Sequence, residues 1–246
     1  MLWYKAWCES RVRFLISAFL IIGVCAAVVM VRHIPDPWRG PVSSYVGYVY
    51  HRIYAGFLRG TFLILVLVLG LGGLARERAH GTVGFTLALP VSRWGLVIAR
   101  AAVGLAEVAA LAALPAMLMP SLSRVAGEAY PLSQALQFSL LWMGIGSLVF
   151  AAAFLASTVF LSEYTALTVS LVAFYVYPLL VTRIPALRGY PLHIHYLMNG
   201  TGMPYFDPHA ARLVGPLPWT ILSVAMAVTA GLIALAGCIT QNRDYC

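Results

Sequence analysis

Six apolar runs, each long enough to cross a bilayer, partition this chain and leave no stretch large enough for a separate soluble domain. A hydrocarbon core of about 30 Å takes about 20 helical residues at about 1.5 Å each. The runs are Phe14–Val31, Gly56–Leu74, Trp94–Met119, Ala135–Phe160, Tyr164–Val181 and Trp219–Thr240, the third ending before Pro120. In lipid a backbone amide must be paired inside its own segment, so each run predicts a helix. Composition agrees. Charged residues make up only 10% of the 246, against about a quarter in soluble domains, too few to cover a water-exposed surface. The fold class is an all-α polytopic membrane protein, a single transmembrane domain over residues 1–246.

Six spans put both termini on one side. The short turn at Glu163 and the Arg76–Arg93 segment lie there too, and the long loops Arg32–Ala55, Pro120–Gln134 and Thr182–Pro218 lie opposite. Seven basic residues flank the spans on each side, Lys5, Arg11, Arg13, Arg76, Arg78, Arg93 and Arg243 against Arg32, Arg39, Arg52, Arg124, Arg183, Arg188 and Arg212. The first helix weighs most, and Lys5, Arg11 and Arg13 against Arg32 and Arg39 point to cytoplasmic termini. The net charge of +8 is spread through interhelical segments, which is headgroup anchoring and not a nucleic-acid surface. Residues 1–13 predict an interfacial helix. Leu2, Trp3, Ala6 and Trp7 share its apolar face, and Lys5, Glu9 and Arg13 lie opposite. A mixed-charge, aromatic start followed by so long an apolar run is not a cleavable signal peptide.

Several chemistries lack their residues. Lys5 is the only lysine, so no lysine is available to a phosphate-binding loop. There is no HExxH. Gly144-Ile145-Gly146-Ser147 lacks the glycine after serine that a nucleophile elbow carries, and its small residues suit close helix packing. Cys8, Cys25, Cys238 and Cys246 have no metal-ligand spacing. His193, His195 and His209 sit in the last long loop, where packing in an aromatic-rich segment is the plainer reading than metal ligation. No catalytic, cofactor or metal residue is expected in this chain.

Two features ask for a function. Glu107 lies about 13 residues into the third span, near mid-depth by helical rise, and an ionisable group there is a candidate for a translocation path or an ion site. It is placed to pair with Arg59 of the second span or to form a structural bond between helices. The other feature is the polar segment between spans two and three. Gly81 offers a bend, Val83, Leu87 and Pro90 can press into a partner, and Thr82 and Thr86 share a milder polar face. Pro90 ends the short helix and Ser92 is a good N-cap for the third span.

That segment, Glu77 with Gly81-Thr82, Leu87, Leu89 and Pro90-Val91-Ser92-Arg93, resembles the E-x-x-x-G-T and P-[VL]-S-R stretches of ABC-2 type transporter permeases. Ala79 stands where many members carry a second acidic residue. The resemblance implies a membrane subunit, an exporter half without an ATPase site of its own. Residues 77–91 would be the coupling helix on a separate ATP-binding subunit that supplies ATP and Mg²⁺ chemistry, with Glu77, Gly81, Thr82, Thr86, Leu87, Pro90, Ser92 and Arg93 making the contact. It also implies a second permease, identical or sister, in a bacterial or archaeal inner membrane. The extracytoplasmic loop 182–218 would hold short re-entrant helices. A self-sufficient secondary transporter using Glu107 is the competing expectation.

Overall fold

The computed structural model describes residues 2–31, 44–71, 92–160, 162–184, 193–201, 203 and 205–242. The helices are α1 (Leu2–Met30), α2 (Tyr45–Val49), α3 (Phe57–Gly70), α4 (Arg93–Val125), α5 (Leu132–Val159), α6 (Glu163–Arg183), α7 (Ile194–Asn199) and α8 (Trp219–Asn242). A π-helical turn, Tyr50–Tyr54, joins α2 to α3, and a two-stranded antiparallel hairpin pairs β1 (Phe206–Asp207) with β2 (Arg212–Leu213). Among the described residues, six helical stretches are long and apolar enough to span a membrane, the second running from Tyr45 to Gly70. The expected all-α polytopic architecture is the one observed.

Cross-helix bonds identify the two ends of the bundle. At one, Arg13 Nη1 donates to the Val68 carbonyl at 3.1 Å and Arg93 Nη1 to the Gln241 carbonyl at 3.0 Å. The start of α1 and the end of α8 therefore share this terminal end. At the other, loop end, the Tyr48 hydroxyl donates to the Val28 carbonyl at 2.8 Å, and the hydroxyls of Tyr45 and Ser123 lie 2.7 Å apart.

Helix α5 is the hub, packed against α3, α4, α6 and α8. Its most apolar window is 72% buried, whereas that of α6 is 11% buried, so α6 stands at the edge with most of its surface uncovered. Aromatic rings fill the loop-end half of the core. Tyr54 stacks on Phe138 at 4.4 Å, and Trp142 meets Phe62 at 4.9 Å and Tyr54 at 5.6 Å between ring centroids. The Gly144–Ser147 stretch lies on the buried face of α5, as close packing requires. A Cβ at Gly146 would come within 3.0 Å of the Phe62 ring and 3.1 Å of Val108.

Three boundaries differ from the sequence expectation. Residues expected as a separate interfacial helix are the first turns of α1, continuous with the span. The tryptophan-bearing side is exposed as expected, while the polar side meets other helices rather than water. Ala6 is buried, Trp3, Tyr4 and Trp7 are exposed, and Ser10 and Arg13 bond to neighbouring helices. Polar side chains at a membrane helix gain more by facing other helices than by facing lipid. The second span begins about three turns early, at Tyr45, where Ser44 Oγ accepts from the Gly47 N–H at 3.1 Å as an N-cap. The third span does not stop before Pro120. Helix α4 contains Pro115 and Pro120 and ends at Val125. Its stop is Gly127, with φ of 75°, where Glu128 N–H donates to the Ser123 carbonyl and Gly127 N–H to the Arg124 carbonyl. This is a Schellman closure, and it outweighs the prolines because neighbouring helices tolerate their missing donors.

The segment before α8 dips inward. The side-chain amide of Gln134 at the start of α5 clamps β2, donating to the Leu213 carbonyl at 2.8 Å and accepting from its N–H at 3.0 Å. Helix α7 reaches further. The ring of His195 stands edge-on to Phe174 at 5.7 Å, and its carbonyl accepts from Arg59 Nη1 at 3.3 Å. By helical rise, Phe174 is about 16 Å from the start of α6, so α7 packs beside the middle of that helix. It lies in the segment where the resemblance implied short re-entrant helices.

Candidate functional site

At the terminal end, a buried polar cluster joins α1 to α4. Glu107 is 3% exposed. Its Oε1 accepts a short hydrogen bond from the Ser10 hydroxyl. Next to Ser10 in α1, Glu9 Oε2 pairs with Arg100 Nη2 at 3.2 Å, and Lys5 Nζ lies 3.7 Å from Glu9 Oε1. Arg13 reaches past them to the Val68 carbonyl of α3. These groups border a cavity of about 30 Å³, large enough for one water molecule, whose apolar wall includes Phe150 and Phe154.

The geometry changes the expected partner of Glu107: it is Ser10, in the early turns of α1. Arg59, offered as its partner by sequence, stands with α7 instead. The Ser10–Glu107 bond links α1 to α4 at a buried position.

Of the coupling segment, Glu77, Gly81, Thr82, Thr86, Leu87 and Pro90 lie outside the described residues, and Ser92 and Arg93 lie within them. Ser92 Oγ accepts from the Gly95 N–H at 3.0 Å, the expected N-cap of α4. Arg93 Nη1 donates to the carbonyls of Thr240 and Gln241, and the indole N–H of Trp94 donates to Gln241 Oε1 at 2.6 Å. Gly237 makes room for the Trp94 ring, since a Cβ there would lie 2.6 Å from Cη2 of that ring. The entry into α4 is thus bolted to the end of α8.

A second polar cluster was hidden from sequence reasoning, which placed these histidines in a loop away from every span. Arg59 meets α7, where His193 stacks on Tyr196 at 4.2 Å and lies 5.6 Å from His195. Burial and the Arg59 guanidinium push His193 below its ordinary value, and burial, Arg59 and His193 push His195 down to about 4. The available signal was a pair: an arginine inside a span and a histidine-bearing apolar hexamer, Ile194 to Asn199, in a loop too long for a turn. His209 stays in the hairpin turn, where its backbone N–H donates to Asp207 Oδ1 at 3.0 Å. No metal-binding group of three or more ligands forms among the described residues.

No curated protein sequence matches this chain. A profile of the ABC-2 family transporter proteins matches residues 53–211, more than half of it, from the second span into the hairpin turn. On that match, and with six helices among the described residues long and apolar enough to cross a membrane, the chain belongs to the ABC-2 family of transporter proteins and is a multi-pass membrane permease of that family.

Proposed function

We propose that this permease is the membrane half of an exporter driven by a separate ATP-binding subunit, gripped through residues 77–91. One observation carries the reading: α4, which directly follows that segment, is tied in its first turns to α1 and α8. Ser92 caps α4, Arg93 and Trp94 bind the end of α8, and Arg100 binds Glu9 of α1. Movement of the segment is therefore passed to α1, α4 and α8 together. In this reading Glu77, Gly81, Thr82, Thr86, Leu87 and Pro90 meet the partner, and Ser92 and Arg93 transmit its motion.

The partner binds and hydrolyses ATP with Mg²⁺, and this chain has no ATPase site. A second permease, a copy or a sister chain, completes the translocation path. The termini face the cytoplasm of a bacterial or archaeal cell, supported by Lys5, Arg11 and Arg13 at the start of α1. Glu107, buried and bonded to Ser10, acts as a lock between α1 and α4.

The test is co-expression with the ATP-binding protein encoded beside this chain, followed by purification through a tag on the permease. The expected result is no ATP hydrolysis by the permease alone and hydrolysis by the complex. Leu87→Glu is expected to lose the partner while still inserting in the membrane. Retained complex and transport in both Leu87→Glu and Glu77→Ala would overturn the coupling assignment.

A further inference from the structure

Arg59 is a guanidinium within the second span whose hydrogen-bond acceptor is the His195 carbonyl, and its Nε has no partner. No carboxylate pairs with it among the described residues; its electrostatic neighbours are the phenols of Tyr50 and Tyr196. The Nδ1 atoms of His193 and His195 beside it are likewise buried without a partner. A cation in this position is costly until an anion meets it.

Next to these groups the bundle opens into two apolar clefts, of about 520 and 260 Å³, on either side of Tyr177 and Ile194. The larger runs along α8 past Ile221 and Val224. The smaller runs between α5 and α6 and is walled by Phe174, whose ring touches His195. Ile194, between the two histidines, lines both. These volumes fall in the range of about 300–1,000 Å³ typical of ligand pockets, singly for the larger and jointly for the pair. A free inorganic anion would leave the clefts unused, and an uncharged hydrocarbon would leave Arg59 unmet.

We propose that Arg59, with His193 and His195, receives the acidic group of an anionic amphiphile whose hydrocarbon chain lies in the clefts beside Tyr177 and Ile194. The proposal adds a ligand class to the transport reading and rests on that reading only for the idea that the ligand is moved. Binding can be measured on this chain alone, so the two ideas fail separately.

The full chain in neutral maltoside micelles is titrated with dodecyl phosphate, and bound adducts are counted by native mass spectrometry. Dodecanol and inorganic phosphate are the controls. One saturable dodecyl phosphate adduct is expected, with weaker binding of both controls. Arg59→Gln is expected to weaken it at least about tenfold, the scale of one charge-assisted bond. Arg212→Gln, an exposed cation of the hairpin, is expected to leave it unchanged. If Arg59→Gln does not accumulate, Ala173→Phe decides, since it narrows the smaller cleft without touching Arg59; it too is expected to weaken binding about tenfold. Equal binding of either control, or wild-type affinity in whichever variant folds, overturns the site.

Discussion

Glu107 and Ser10 are 97 residues apart in the chain and meet as a buried pair. Glu107→Leu removes the acceptor and leaves the serine hydroxyl without its long-range partner, a cost of about 1–3 kcal/mol. For a chain of this size that is a fall of about 2–10 °C in melting temperature. Ser10→Ala is expected to cost no more once Glu107 is gone, as a double-mutant cycle would show. Transport per assembled complex is expected to stay near wild type in Glu107→Gln. A stable Glu107→Gln complex that no longer transports would place the carboxylate on the path instead. His195 gives a pH signature. The unfolded imidazole titrates near 6.5 and the folded one at about 4. Between these values the unfolded chain binds more protons, so stability rises with pH there. Melting temperature is expected to drop as pH falls from about 6.5 to about 4, and His195→Gln to flatten that slope. An unchanged slope in the variant would assign the effect elsewhere.

At the scale of elements, helix ends separate what neighbouring residues dictate from what they only suggest. The Ser92 cap was legible because a hydroxyl before a helical run bonds the first free amides whatever surrounds it. The end of α4 was not, because the same sequence offers two stops. Pro120 reads as a breaker, yet Gly127 provides the closure. Gly127→Ala therefore isolates that closure. A Cβ there meets nothing within 4 Å, so only the positive φ penalises it. The expected cost is about 1–2 kcal/mol, read as a fall of about 2–8 °C in thermal unfolding. Pro120→Ala is expected to leave stability equal or higher, since it restores an amide inside a continuous helix. A larger loss from Pro120→Ala than from Gly127→Ala would reverse this account of where α4 ends.

For the whole molecule, α5 is the fixed member and α6 the exposed one, while α1, α4 and α8 are joined at the terminal end. If that junction carries the partner's stroke, its loss uncouples without disassembling. Arg93→Ala with Gln241→Ala is expected to leave the ATP-binding subunit attached and its hydrolysis intact while transport falls several-fold. Loss of the partner in that double variant would mean the junction helps to seat the subunit rather than to transmit its motion.

The number of spans, the membrane class, the motif ahead of α4 and its cap were legible in the sequence alone. Each follows from a local rule: an apolar run must pair its own amides in lipid, and a cap bonds within one turn. The candidate site was legible only in part. Glu107 and Arg59 stood out as charges within spans, but their partners did not, because Ser10 and His195 reach them from distant segments. The facing of α1, the inward path of α7 and the meeting of Arg59 with two histidines are decided by tertiary packing. In lipid the apolar faces of helices are nearly equivalent, so which polar groups meet depends on how the helices fit together, and hydropathy along a single chain does not encode that choice.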